Sequence, residues 1–382
     1  MKRAGILLMC FLLLAGVLPF GVHGLDLNVA AKSALLMDVA TGTILYEQNA
    51  HEPLAPASVT KVMTMLLIME AIDSGKIHWD DPVTASETAA AKGGSQIYLK
   101  AGETMTVSDM VKSIAVSSAN DCACAMAEHL AGSESAFVDM MNRRAQELGM
   151  ADTHFVNCTG LDDDPEAASH RTSAHDIAIM SRELLKNHPD IKKFTTIWMD
   201  TVRGGAFGLS NTNKMVRFYD GCTGLKTGFT NGAGYCLSAS AQRNGMELIG
   251  TVMGAKTSAD RFAAAKGMLD YGFANFALYT PVIQEGAVVA VTLGTVPSVT
   301  AVPAEDVPLL VEKSQLNAIT TELELEPEVT APVAMGQPLG TLTIKSEGQI
   351  LRQIPLIAEE SVDRLTWGDL TVKILRQIAM AK

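Results

Sequence analysis

Apolar and polar residues alternate in two short runs near the start of the chain, 33–37 and 43–47. These read as strands on either side of a turn at Ala40-Thr41-Gly42. After a loop holding Pro53 and Pro56 the pattern changes: from about 59 to 72 nearly every position is apolar, and Ser74-Gly75 closes the run. That predicts a helix with no polar face. Helical spacing and loops fill residues 85–185, including helices over 107–130 and 136–148. Strand character returns at 221–230, 234–241 and 246–253, the last two joined by Asn244-Gly245, a strong hairpin signal. Residues 258–278 read as a closing helix. Strands at both ends with helices between predict one mixed α/β unit, its sheet assembled from distant segments.

Beyond Pro281 helical periodicity disappears. The short runs AVVAVTL, TELELE and LTIK-SEG-QILRQI, the last turning at Glu347-Gly348, predict a separate all-β domain. Helical spacing resumes at the end, where Trp367, Leu370, Ile374 and Ile378 form a stripe that Val372 and Met380 do not join. Arg364, Lys373, Arg376 and Lys382 outnumber Asp369 there. A basic amphipathic tail on an acidic protein fits a helix lying on an anionic membrane surface; a helix docked on its own domain is the alternative. At the other end, Lys2 and Arg3, an uncharged apolar run over 6–20, and the small residues around Val22-His23-Gly24 have the three parts of a secretory signal. The expected division is a signal peptide at 1–24, an α/β domain at 25–280, a β domain at 281–360 and an anchor helix at 361–382. The expected location is the outer face of the cytoplasmic membrane.

Composition narrows this only a little. Of the 382 residues 48% are hydrophobic, which excludes global disorder, and a net charge of −12 argues against nucleic-acid binding. Beyond the leader five cysteines remain, Cys122, Cys124, Cys158, Cys222 and Cys236. An odd number without a CxxC pair predicts buried thiols, with one or two bridges still open.

The chemistry starts from a conflict. Lys61 opens the all-apolar helix, three residues after Ser58. Residues i and i+3 stack on one helix face, within hydrogen-bond reach. A solvated lysine titrates at ~10.4 and is a useless base at neutral pH, but desolvation lowers that value and lets it take a serine proton. S-x-x-K alone is weak, since a serine cap with a solvated lysine looks the same. Two further stretches change the weighing: Ser118-Ala119-Asn120 within SSAND, and Lys226-Thr227-Gly228 at the end of a strand. SxxK, SxN and KTG in that order form the active-site set of penicillin-binding proteins and class A β-lactamases.

With PASVTKVMT, SSAND, FVNCTGL, the His175-Asp176 helix start, GLKTGFT and VMGAK, the chain resembles the low-molecular-mass penicillin-binding proteins, the serine D-alanyl-D-alanine carboxypeptidases. APVAMGQPLGTLTIKSEGQILRQIPLIA resembles that family's C-terminal β domain, and the tail its membrane anchor. Ala119 departs from the family, which often has glycine there. The resemblance implies a β-lactamase/transpeptidase-like α/β fold with its sheet flanked by helices. It implies Ser58 as nucleophile and Lys61 as base. Ser118 would relay a proton, and Asn120 would bond Lys61 or the substrate amide. Lys226, Thr227, Gly228, Phe229 and Arg261 would bind substrate. Thr227 and Arg261 would meet its terminal carboxylate, and the N–H groups of Ser58 and Phe229 would form the oxyanion hole. An exposed Arg261 on the closing helix is the competing reading. The implied partners are peptidoglycan stem peptides, β-lactams as covalent inhibitors and the membrane surface, with no cofactor and no metal. Glu183 and Asn187 resemble a deacylating loop only loosely, with Lys186 where leucine belongs, and read as a solvated helix face. His170 and His175 lack ligand spacing.

Overall fold

The computed structural model describes residues 27, 29–163, 165–281, 287–305 and 308–372. Strands β1 (Ser33–Asp38) and β2 (Ile44–Gln48) meet β3 (Cys222–Thr230), β4 (Gly234–Arg243) and β5 (Met246–Ala255) in one sheet. Its order is β2-β1-β5-β4-β3 and every pairing is antiparallel. The hairpin turn between β4 and β5 uses Asn244 and Gly245, both at positive φ, as that dipeptide predicts. Strand β1 is buried along its whole length because both faces are covered. Leu35 and Met37 join the core of the helical lobe, whereas Ala34 and Leu36 pack with the closing helix.

The helical lobe is built around α1 (Lys61–Asp73), buried at ten of its thirteen positions, which is what a helix without a polar face requires. Around it lie α2 (Val107–Ser117), α3 (Asn120–Ala131), α4 (Glu134–Glu147) and α5 (Ala174–Asn187). The stretch expected as one helix over 107–130 is two. Ser118 takes a left-handed conformation (φ 62°, ψ 30°) and ends α2, and Asn120 opens α3. Helix α4 starts two residues earlier than expected, because the Ser133 hydroxyl caps it by accepting from Ala136 N–H. The closing helix α6 runs over Ser258–Asn275 and not to 278. Phe276–Tyr279 is a strand, β6: these apolar residues fit either state, and pairing decides for the strand.

The pairing is with β9 (Leu309–Glu312), within the β region that follows. There β7 (Val288–Thr292), β8 (Ser298–Pro303), β10 (Ile319–Leu325), β11 (Glu328–Thr330), β12 (Pro338–Ser346) and β13 (Gln349–Ala358) form a six-stranded sheet in the order β10-β12-β13-β8-β7-β11. TELELE lies on the edge strand β10, which is largely exposed; its glutamates charge a rim that would otherwise pair with another chain. The expected secretory signal lies outside the described residues, as does the amphipathic tail beyond 372. Helix begins at Trp367, where Thr366 accepts from Asp369 N–H and Asp369 accepts from Thr366 N–H, a reciprocal cap. None of the described helices is long and apolar enough to cross a membrane.

Candidate active site

Ser58 sits in a short 3₁₀ turn, Ala57–Thr60, that feeds directly into α1. Ala57 is held at φ 49°, a left-handed value that a β-carbon disfavours. The turn is bolted from behind. The ring of His170 accepts from Val156 N–H at Nδ1, which leaves the proton on Nε2 to donate to Thr60 Oγ1 at 2.8 Å; Thr60 donates in turn to the Ala57 carbonyl at 2.9 Å. Burial, with help from His154, Arg171 and Lys61, pushes His170 down to about 4, so the ring is neutral at physiological pH. His170 is thus a structural strut and not a metal ligand.

Lys61 is fully buried, yet its Nζ donates to Ser58 Oγ at 2.9 Å and to the Thr159 carbonyl at 2.8 Å. Desolvation lowers it from 10.5 to about 7, against the opposing pull of Cys158 and Asp121. Such a lysine is substantially neutral at pH 7 and can accept a proton from the hydroxyl it touches. Thr159 contributes only a main-chain carbonyl, so no residue type could have announced it, although it lies within FVNCTGL. Gly160 beside it is obligatory: a β-carbon there would stand 1.8 Å from the Ala57 carbonyl oxygen, and φ is +82°.

The turn between α2 and α3 presents Ser118 and Asn120, both buried. A left-handed serine costs about 1–3 kcal/mol, a form of strain common where a side chain has to be aimed. Asn120 is oriented by Nδ2 donating to the Gly93 carbonyl at 2.7 Å and by its backbone N–H donating to Ser95 O. The loop offering those carbonyls is pinned by buried Asp121, which accepts from Ile97 and Leu99 N–H groups. Of the two partners expected for Asn120, Lys61 is not bonded: its Nζ donates to Ser58 Oγ and to the Thr159 carbonyl instead. Ser118 Oγ and Asn120 Oδ1 are buried without a partner. Unsatisfied polar atoms in such a place are ready to bind a ligand.

Strand β3 supplies the third wall. Lys226 is fully buried and donates to the Thr227 carbonyl at 2.9 Å. Burial first, then the charges of Lys61 and Arg261, hold its ammonium well below the usual range. Thr227 Oγ1 lies 2.6 Å from Thr212 Oγ1. Gly228 lets β3 lie against the nucleophile's turn: a β-carbon would come 2.6 Å from the Pro56 carbonyl and 3.0 Å from the Ser58 nitrogen. Phe229 is half-exposed and packs on Tyr235.

Arg261 is not the exposed arginine of the competing reading. It is 7% exposed, lies over the rings of Tyr235 and Phe262, and donates from Nη1 to the carbonyls of Gly228 (2.9 Å) and Cys236 (3.2 Å). It therefore holds the end of β3, and its Nε has no partner. Glu183 faces away from this chemistry. It accepts from Arg144 at 2.7 Å and from Asn187, while Arg144 also bonds Glu70, so the expected solvated face is an ion-pair network. Glu70, Glu183 and His188 come close enough to share a cation, but Arg144 already bridges both carboxylates. The five cysteines are unbridged, four of them buried.

Comparisons with known proteins bear on the family and the fold. The profile of the family described as D-alanyl-D-alanine carboxypeptidase matches residues 21–257, and that of the penicillin-binding protein 5 C-terminal domain matches 279–364. The chain is 42% identical over 367 residues to the D-alanyl-D-alanine carboxypeptidase DacF of Bacillus subtilis, covering 94% of this chain and 93% of that one. Among solved structures it resembles penicillin-binding protein 5 of Haemophilus influenzae, with a TM-score of 0.75 and 31% identity over 88% of this chain and 98% of that one. It also resembles penicillin-binding protein D2 of Listeria monocytogenes in its ampicillin-bound form (TM-score 0.59, 33% identity, 65% of this chain and 100% of that one).

Proposed function

This chain belongs to the D-alanyl-D-alanine carboxypeptidase family of serine hydrolases, and from that premise we propose that it removes the terminal D-alanine of peptidoglycan pentapeptide stems through an acyl-enzyme on Ser58. The observation that carries the reading is the 2.9 Å contact from a fully buried lysine nitrogen to the Ser58 hydroxyl.

Neutral Lys61 takes the proton as Ser58 Oγ attacks the carbonyl carbon between the two D-alanines. The oxyanion so formed points at the N–H groups of Ser58 and Phe229, each donor typically worth ~3 kcal/mol. Gly228 is what permits that pairing of donors. The proton returns to the departing nitrogen by way of Lys61 and Ser118, the C–N bond breaks, and D-alanine leaves. Water, deprotonated by Lys61, then attacks the ester; the bond from Ser58 Oγ to the acyl carbon breaks, Lys61 returns the proton to Ser58 Oγ, and the shortened peptide leaves. Asn120 Oδ1 accepts from the substrate amide, Lys226 adds positive potential, and Thr227 meets the terminal carboxylate, with Arg261 behind the strand. A β-lactam enters the same site, and its strained amide acylates Ser58. Its leaving nitrogen stays tethered, and Glu183, held by Arg144, is no second base for fast release.

The remaining features fit an exported enzyme on the outer face of the cytoplasmic membrane: a leader at 1–24, the catalytic domain at 25–280, the β domain at 281–360 and a tail at 361–382 lying on the bilayer surface. The test uses protein lacking the first 24 residues. It releases D-alanine from a D-Ala-D-Ala peptide, and mass spectrometry finds one long-lived ampicillin adduct on Ser58. The Ser58→Ala change abolishes both. Release that survives this change refutes Ser58 as the nucleophile.

A further inference from the structure

Thr212 stands beside Thr227 and is not marked by the sequence motifs. It lies in the segment Asn211-Thr212-Asn213, where the two asparagines are buried and the threonine between them is exposed. Both asparagines are bolts. Asn211 donates from Nδ2 to the Ile197 carbonyl at 2.7 Å and accepts from Asn213 N–H; Asn213 donates to the Gly224 carbonyl on β3 at 2.9 Å and accepts from Met215 N–H. The Thr212 backbone N–H donates to Val116 O, near the end of α2. The segment therefore ties the SxN wall to the KTG strand and fixes the Thr212 hydroxyl 2.6 Å from that of Thr227.

We propose that Thr212 is a positioning residue for recognition of the substrate's terminal carboxylate, because its hydroxyl donates to Thr227 and so turns the Thr227 proton toward the ligand. This inference rests on the carboxypeptidase reading. A carboxylate is an acceptor only, so Thr227 has to donate to it. Its lone pairs then face Thr212 at hydrogen-bond distance, and the contact is attractive only if Thr212 is the donor. A hydroxyl that accepts while it donates is polarised and gives the stronger bond outward. Two neutral hydroxyls in series thus hold one anion without adding another cation near Lys61, which has to stay neutral to act as a base.

The test compares wild type, Thr212→Val and Thr212→Ser on a peptide ending in D-Ala-D-Ala and on its terminal carboxamide. It also compares acylation by ampicillin with acylation by ampicillin methyl ester. Valine keeps the shape and removes the hydroxyl at an exposed position, and thermal melting confirms that the variant folds. Thr212→Val is expected to raise KM for the carboxylate peptide about fivefold, the effect of losing the neutral hydrogen bond that orients Thr227 while the bond from Thr227 to the ligand survives weakened. Its kcat stays within about twofold, which is the signature of lost uniform binding. Ampicillin acylation slows by a similar factor. Thr212→Ser restores wild-type values, and the carboxamide and methyl ester are indifferent to either change. An unchanged KM, a failure of serine to rescue, or an equal loss on the uncharged ligands overturns the inference. If wild type released no D-alanine, the carboxypeptidase reading would fall, and the ampicillin pair would still decide the role of Thr212.

Discussion

At the scale of single residues the central fact is an amine without water. Lys61 keeps its basicity low by burial and keeps its geometry through two acceptors, Ser58 Oγ and the Thr159 carbonyl. A value near 7 in the folded chain against 10.5 has two consequences. The first is kinetic: kcat/KM for D-alanine release should rise tenfold per pH unit below about 7 and level off above it. A steady-state pH profile checks this, and a rate still climbing steeply at pH 9 would show that the lysine is charged. The second concerns stability. The folded pKa is depressed, so between about 7 and 10.5 the unfolded chain binds the extra proton and stability rises with pH across that window. At pH 7 the buried amine costs the fold on the order of 4 kcal/mol. Lys61→Met should therefore raise the melting temperature at pH 7 while reducing acylation about a thousandfold or more.

The elements carry the next layer of constraint. A 3₁₀ turn, a broken helix and a strand end each deliver one motif, and they converge because two glycines let backbones touch. At Gly228 the strand passes so close to the nucleophile's turn that a methyl group would meet the Pro56 carbonyl and the Ser58 nitrogen. Gly228→Ala should push Phe229 N–H out of the oxyanion hole, lowering both D-alanine release and ampicillin acylation about a hundredfold. The melting temperature should fall by a few degrees, because the methyl group meets backbone that has to shift, while the protein still folds. Equal loss of activity and of folding would mean that the glycine serves the sheet as a whole. The break at Ser118 belongs to the same scale. Apolar periodicity runs through 107–130 without interruption, so nothing in the pattern marks a left-handed residue, and only packing against α1 and the loop over 93–99 makes it worthwhile.

At the scale of the whole molecule strand structure resumes directly after α6, where β6 pairs with β9 in a two-stranded sheet of its own. Further on, Gly294 bridges to Arg364, and Leu365 N–H donates to Leu293 O. The chain is thus stitched to the β domain up to the capped start of the last helix, where Trp367 is 87% exposed. Removing 366–382 should leave D-alanine release unchanged and abolish co-sedimentation with vesicles of anionic lipid. Persistent vesicle binding by the truncated protein would assign membrane contact to another surface.

The strands of the first sheet with their hairpin turn, the all-apolar helix, the three motifs and the residues to test could be read from the linear order, whereas the strand at 276–279 reads as helix. Periodicity and side-chain type are local properties, and a lysine opening an apolar helix is visible without coordinates. What waited for the fold was everything that depends on contact between distant backbones or on orientation. That includes the Thr159 carbonyl under Lys61, the His170 strut behind Thr60, and the inward turn of Arg261 onto Gly228. It also includes the Thr212 hydroxyl on Thr227, and the anchoring of the Asn120 amide nitrogen on the Gly93 carbonyl. A main-chain carbonyl carries no residue-specific signature, and burial of a charged side chain is settled by what folds over it.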